Sequence, residues 1–276
     1  MTKHKLSKIL LYAITIFITV ITLIPIWITF VNASRSTNEI LQGVSFIPSS
    51  HFIENYNNLV EKGFNLGRGL LNSFTIAGLA TLLNVYFSAL TAYGIKAYNF
   101  KYKKQVYALI LLLIMLPAQL GFIGFYKYMV ALGLINTYVP LILPAMAAPA
   151  TVFFIKQYMD SVFSPSLVEA ARIDGAGEFA IFNKIIFPIM KPAIATTGIM
   201  GFVGTWNNFM TPYIMLTEQE KYTLPMLVQL LKSDIYKTDY GAIYLGIFLS
   251  ILPVIIVFIL FSKHIVSGVV AGGVKE

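Results

Sequence analysis

The chain has 276 residues, of which 57% are hydrophobic and only 12% charged. A soluble domain carries about 25% charged residues, so too little polar surface is present to cover a water-soluble globule, and the class is membrane protein. Cysteine is absent, which excludes disulfides, zinc–cysteine sites and thiol nucleophiles; the net charge of +8 is read as Lys and Arg anchoring loops at a bilayer, not as a nucleic-acid surface.

A crossing helix needs about 20 mostly apolar residues. The first such run is 9–31, after "MTKHKLSK". With "VNA" at 31–33 it resembles a secretory leader, but the run is longer than the roughly 7–15 apolar residues of a leader, so it reads as a retained first span. Residues 32–69 form a polar outer segment in which "STNEI", "PSSHF" and "ENYNNL" predict turns and short helices. Further spans are predicted over 70–95, 105–126 and 138–155, then 192–216 and 241–262. Between the last two, residues 217–240 are expected to carry a short helix on the outer surface. None of the six runs contains Asp, Glu, Lys, Arg or His in its interior, while Pro25, Pro117, Pro144, Pro212 and Pro253 lie inside them. Proline is tolerated in a span whose neighbours satisfy the freed carbonyls. The chain therefore reads as one transmembrane domain over 1–276, an all-α protein of six helices. Of 20 Lys and Arg, 13 fall on the side of the N-terminus, with "KAYNFKYKK" the clearest marker. That bias predicts N-in and C-in, and it places residues 164–191 in the cytoplasm.

Several chemistries are missing. There is no Gly-x-x-x-x-Gly-Lys-Ser/Thr phosphate cradle, no His-Glu-x-x-His and no Gly-x-Ser-x-Gly. His4, His51 and His264 lie far apart, so neither a metal site nor a catalytic residue is expected. The chain reads as a transport subunit without its own ATPase site and without a bound cofactor. Spans free of Asp, Glu and His offer no proton relay. A sodium site of carbonyls and hydroxyls stays open, as does a non-transporting scaffold. If solute moves uphill, energy is expected to enter from a cytoplasmic partner.

The docking element for such a partner is sought in "SPSLVEAARIDGAGEFAIFNKIIFPIMKPAI", residues 164–194. Ser164 or Ser166 can cap a helix, Pro165 suits its first turn, and Ser166 with Glu169 spells a capping box. Gly175 suits the left-handed residue that ends a helix. "GEFAIFNKIIF" restarts as a second helix, which Pro188 is expected to bend. Leu167, Val168, Ala171, Phe179, Ile181, Phe182, Ile185 and Ile186 are too apolar for a solvated loop, so they must press on the bilayer, the other spans or a partner. An amphipathic pair lying on the membrane surface is the plainer alternative.

This stretch resembles the EAA loop of ABC importer permeases, whose pattern is Glu-Ala-Ala, three residues, Gly, nine residues, Ile, one residue, Leu-Pro. Here Glu169-Ala170-Ala171, Gly175, Ile185 and Phe187-Pro188 stand at those positions, with Phe187 the one apolar exchange. "EAARIDGA" is similar to the form found in carbohydrate permeases of the maltose and multiple-sugar type. "LPAQLGFIGFYKYMVALGLINTYVPLILPAMA" (116–147), "GTWNNFMTPYIML" (204–216), "YTLPM" (222–226) and the tail "SGVVAGGVKE" extend the resemblance over nearly the whole chain. It implies a type I ABC importer permease in a prokaryotic cell membrane. The expected partners are a second homologous permease, two copies of a cytoplasmic ATPase that uses ATP and Mg, and an extracytoplasmic sugar-binding protein. The coupling residues it implies are Glu169, Ala170, Ala171, Arg172, Asp174, Gly175 and Phe179. Glu169 would offer its carboxylate to a basic residue of the ATPase, Gly175 would allow the turn, and Ile173 and Phe179 would fill a cleft.

Sugars are neutral and hydroxyl-rich, so their path needs amides, hydroxyls and an aromatic face. Trp206, Asn207, Asn208 and Tyr213 in the fifth span, with Asn84 and Gln119, are the candidates. Hydrogen bonding between helices is an equal reading for each. A polyol or a glycerophosphodiester stays open as the solute.

Overall fold

The computed structural model describes residues 2–232 and 238–273, and among them the chain is helical with no strand. In chain order the helices are α1 (Thr2–Ala33), α2 (Thr37–Leu41), α3 (Phe52–Glu61), α4 (Leu66–Ala97), α5 (Lys103–Met115), α6 (Phe122–Ala131), α7 (Val139–Ile142) and α8 (Pro149–Val162). Then follow α9 (Pro165–Ile173), α10 (Glu178–Ile181), α11 (Phe187–Ile189), α12 (Lys191–Trp206), α13 (Met210–Met215), α14 (Leu224–Leu231) and α15 (Tyr240–Gly273). Four stretches are long and apolar enough to cross a membrane: Ser7–Ala33, Leu66–Ala97, Val139–Val162 and Tyr240–Phe261. Two more are helix pairs bent at a short break, by 87° between Lys103–Met115 and Gln119–Ala131, and by 80° between Glu178–Ile189 and Lys191–Trp206. Counting each bent pair as one crossing makes six among the described residues. Residues 274–276 of the "SGVVAGGVKE" tail lie outside them.

The helix breaks follow from local chemistry. Leu116 precedes Pro117 and is extended, φ −80°, ψ 129°, because the proline ring clashes with a helical residue before it. Segment 105–126 is therefore not one helix. The fifth predicted segment, 192–216, is likewise interrupted, between Trp206 and Met210. Pro25 and Pro253 stay within long helices.

The chain divides into two compact units. The first holds residues 1–66 and 224–253. Here the Asn55 amide donates to the carbonyls of Ala33 and Arg35, both at 2.9 Å. Thr37 and Asn58 donate to the two oxygens of Asp239, at 3.2 and 2.8 Å. The buried Arg35 guanidinium donates to Asn32 Oδ1 at 3.1 Å, to Gly43 O at 2.9 Å and to Glu39 O. A Cβ at Gly241 would stand 2.3 Å from Asn55 Oδ1 and 2.6 Å from the Arg35 carbonyl, so only glycine fits where α15 begins. The expected short helix in 217–240 exists as α14, and its Leu224, Met226, Leu227, Val228 and Leu231 are buried.

The second unit holds residues 67–223 and 254–276. Its core joins Ala89, Ala92, Tyr93 and Ile95 of α4 and Val152, Ile155 and Met159 of α8 to Val168, Ala171, Ile181, Phe182, Ile186 and Met190 of the 164–191 stretch. At the other end of the unit the chain over 216–223 is stapled down. The Asn136 side chain accepts from the amides of Thr217 and Glu218 at 3.2 Å. The Asn72 amide donates to the carbonyls of Glu220 and Tyr222, and Arg68 pairs with Glu220 at 2.7 Å. Lys221 pairs with Glu218 at 2.9 Å. The bond from Lys221, then that from Asn136, hold the Glu218 carboxyl below the usual carboxylate range.

Candidate functional site

Two places in the second unit gather the residues singled out from the sequence. The first is the helix pair α9–α10. Ser164 is the N-cap of α9 and Pro165 its first residue. The expected Ser166–Glu169 capping box does not form: Ser166 lies inside the helix, and its hydroxyl meets Ser164 Oγ at 2.7 Å. The helix ends at Ile173, and Gly175 follows it in the left-handed conformation, φ +80°. The amide of Gly175 donates to Arg172 O at 3.0 Å and that of Ala176 to Ala171 O at 2.9 Å, the paired bonds of a Schellman turn. The turn is thus held by backbone geometry that a side chain would strain.

After α10 the chain widens into a π-helical turn over Phe182–Ile186, a form that recurs at functional sites. The 80° bend comes after it, at the break around Met190 and not at Pro188. Phe182, fully buried, packs on Tyr93 and Tyr86 of α4 with ring centroids 5.6 and 5.7 Å apart.

This packing sorts the apolar residues of the pair. Val168, Ala171, Ile181, Phe182 and Ile186 turn inward onto α4 and α8. Ile173 is 86% exposed, Phe179 68% and Leu167 41%. Glu169, Ala170, Arg172, Asp174 and Gly175 are exposed with them. Of the seven implied coupling residues, Ala171 alone is buried, so it supports the face without forming it. The surrounding charges are ordered. Arg172 Nε donates to Glu178 Oε1 at 2.6 Å, and Tyr98 donates to Glu178 Oε2. Asp160 bridges Lys96 and Lys156 at 2.8 and 2.6 Å, tying α4 to α8. In the sequence Glu178 is a charge without a role, and Tyr98, 80 residues away, carries no signal at all.

The second place is a cavity of about 270 Å³. Phe122, Phe125 and Trp206 give it aromatic walls, and Ser73, Thr205, Asn208, Thr211 and Thr223 give it hydroxyls and an amide. Among the described residues no charged side chain lines it. Trp206 is buried at the end of α12, stacked on Phe202 at 5.6 Å and edge-on to Phe74 at 5.0 Å. Asn208 Oδ1 accepts from the Thr211 amide at 3.2 Å, just before and within the first turn of α13. The buried Thr223 hydroxyl has no hydrogen-bond partner among the described residues. Of the six path candidates, Trp206 and Asn208 meet at this cavity. Asn207, Tyr213 and Gln119 are exposed away from its lining. Asn84 lies beside Gly201 of α12, with its Oδ1 unpaired among the described residues. Ser73 of α4, Phe122 and Phe125 of α6, and Thr223 before α14 come from three separate parts of the chain, and nothing in the sequence marks those parts as neighbours.

A multi-pass helical chain with a partly exposed helix pair, and a cavity whose described lining is uncharged, has the character of a membrane permease component. The family described as "Binding-protein-dependent transport system inner membrane component" matches residues 84–270, and the chain belongs to it. The chain is 34% identical to the arabinooligosaccharides transport system permease protein AraQ of Bacillus subtilis, over 95% of each chain. It is 31% identical to the diacetylchitobiose uptake system permease protein NgcG of Streptomyces coelicolor, over 95% of this chain and 87% of that one. It is 30% identical to the sn-glycerol-3-phosphate transport system permease protein UgpE of Brucella abortus, over 97% and 98%. The fold is that of a chain in the crystal structure of a bacterial ABC transporter involved in the import of the acidic polysaccharide alginate. The TM-score is 0.80 at 22% identity, over 95% of this chain and 98% of that one. The protein is a multi-pass permease of the inner membrane that works with an ATPase and a binding protein.

Proposed function

We propose that this permease imports a neutral sugar, a small oligosaccharide or one of its units. The observation that carries the reading is the cavity: aromatic walls, hydroxyls and an amide, with no charged side chain among the described residues that line it. A carbohydrate is matched by such groups, whereas a phosphate ester calls for a cation or converging N–H donors. Relatives named for arabinooligosaccharides and diacetylchitobiose support the sugar. The relative named for sn-glycerol-3-phosphate is the reason to test the alternative.

In this reading the helix pair α9–α10 faces the cytoplasm and docks on the ATPase, with Glu169, Ile173 and Phe179 as its contact face. Among the described residues the Glu169 side chain makes no hydrogen bond or ion pair, so its carboxylate is available to a basic partner. A second, homologous permease completes the pathway, and two ATPase copies bind ATP and Mg. This chain holds no nucleotide site and no cofactor of its own. Each conformational state must bind its ligands differently for the cycle to run.

The test is uptake by cells that carry the chain with its partners, against a deletion strain. Radiolabelled neutral oligosaccharides should accumulate and glycerol phosphate should not. Accumulation of glycerol phosphate alone would overturn the sugar assignment.

A further inference from the structure

One carboxylate in the second unit joins its own short helix to two others, α9 and the end of α4. Glu178 opens α10. Its Oε1 accepts from Arg172 of α9 at 2.6 Å. Its Oε2 accepts from Tyr98, one residue beyond the end of α4, and lies 3.4 Å from the hydroxyl of Tyr93 inside α4. The Arg172 guanidinium stands 5.7 Å over the Tyr98 ring, and that ring meets Tyr93 edge-on at 5.8 Å. No other acidic residue of the pair is used in this way: the side chains of Glu169 and Asp174 make no hydrogen bond or ion pair among the described residues.

The apolar contact beneath has a different character. Phe182 rests on Tyr86 and Tyr93, and such packing resists separation. It resists sliding and rotation less well, because the burial of apolar surface that drives it is non-directional. Charge-assisted hydrogen bonds are directional and fix an orientation. The Arg172 and Glu178 side chains are 41% and 46% exposed, and ion pairs so exposed add little to stability. Their cost in ordered side chains is therefore explained by register and not by fold stability.

We infer that Glu178 is a positioning residue: with Arg172, Tyr98 and Tyr93 it clamps both coupling helices to the Ala97 end of α4, so that a displacement of the exposed Glu169–Phe179 face is carried into that span. This inference rests on the proposed docking of α9–α10 to an ATPase. Without the clamp, the short helices would turn on their aromatic seat and absorb part of the movement.

The experiment reconstitutes the permease with its partner permease, ATPase and binding protein in liposomes, and measures ATP hydrolysed per solute taken up. Glu178→Ala and Tyr98→Phe should retain the ATPase at the wild-type ratio and unfold at the wild-type temperature, yet use about threefold more ATP per solute. The exchange Arg172→Glu with Glu178→Arg should restore most of the coupling. Unchanged ATP use per solute in Tyr98→Phe and Glu178→Ala overturns the clamp; if Glu178→Ala fails to assemble, Tyr98→Phe decides alone. Uncoupled single variants with no recovery in the exchange overturn it too, since Glu178 would then act by touching the ATPase. A wild-type chain that retains no ATPase strikes instead at the docking reading on which the clamp depends.

Discussion

At the scale of single residues, Gly175 and Glu169 separate conformation from contact. Gly175 sits at φ +80°, and nothing lies within 4 Å of the place a Cβ would take, so a substitution there meets strain and no clash. Gly175→Ala should cost about 1–2 kcal/mol, the penalty of an L residue in the left-handed region, and Gly175→Asn less. Thermal unfolding of the purified permease measures both. Glu169 is exposed and its side chain unpaired among the described residues, so its replacement should leave stability unchanged. Glu169→Lys should remain in the membrane while ATPase co-purification and uptake fall together; normal co-purification and uptake by that variant would remove Glu169 from the contact. Glu169 carries no capping box, since Ser166 lies within the helix instead of before it. A purely capping role is thereby weakened. Gly175 is legible from sequence because the left-handed turn is a local demand of one residue. The cap is harder to place, because Ser164 and Ser166 offer the same chemistry on either side of Pro165.

At the scale of the element, α10 and the turn after it place two phenylalanines with opposite duties. Phe182 is buried against α4, and Phe179 is 68% exposed. Phe182→Ala should destabilise the permease by about 3–5 kcal/mol, the usual cost of emptying a buried aromatic site, and lower its yield from membranes. Phe179→Ala should leave the unfolding temperature in place and weaken only ATPase retention in a pull-down. The two residues look alike in the string "EFAIF". Their difference is set by the π turn over Phe182–Ile186 and by the position of α4, which no local pattern states. The broken helices follow the same rule. Pro117 ends α5, yet Pro25 and Pro253 are carried inside α1 and α15, so proline alone did not decide where a span is interrupted.

At the scale of the whole molecule, the bias of Lys and Arg predicts spans with both ends inside. Because the chain has no cysteine, that orientation can be checked one position at a time. A cysteine at Glu169 or Lys101 should react with a membrane-impermeant maleimide only in inside-out vesicles. One at Gln219 should react only in intact cells or spheroplasts. The opposite pattern would reverse the topology and move α9–α10 away from any cytoplasmic ATPase. The cavity belongs to this scale as well, since it draws on α4, α6, α7, α12, α13 and the chain before α14. Trp206 and Asn208 are visible in the sequence as an aromatic and an amide in an uncharged span. Thr223, Ser73 and Phe122 become neighbours of theirs only through folding.

The sequence by itself determined that this is a helical membrane protein, where the left-handed turn at Gly175 falls and which family motif it carries. Each of these rests on composition, on a run of neighbouring residues or on one backbone angle, and such demands are met locally. The tertiary structure alone decided which apolar faces are spent on the chain's own core and which stay exposed. It also brought Tyr98 to Glu178 and closed a cavity from distant segments. Those outcomes depend on how helices pack, and a contact between residues 80 positions apart exists only once the helices that carry them have met.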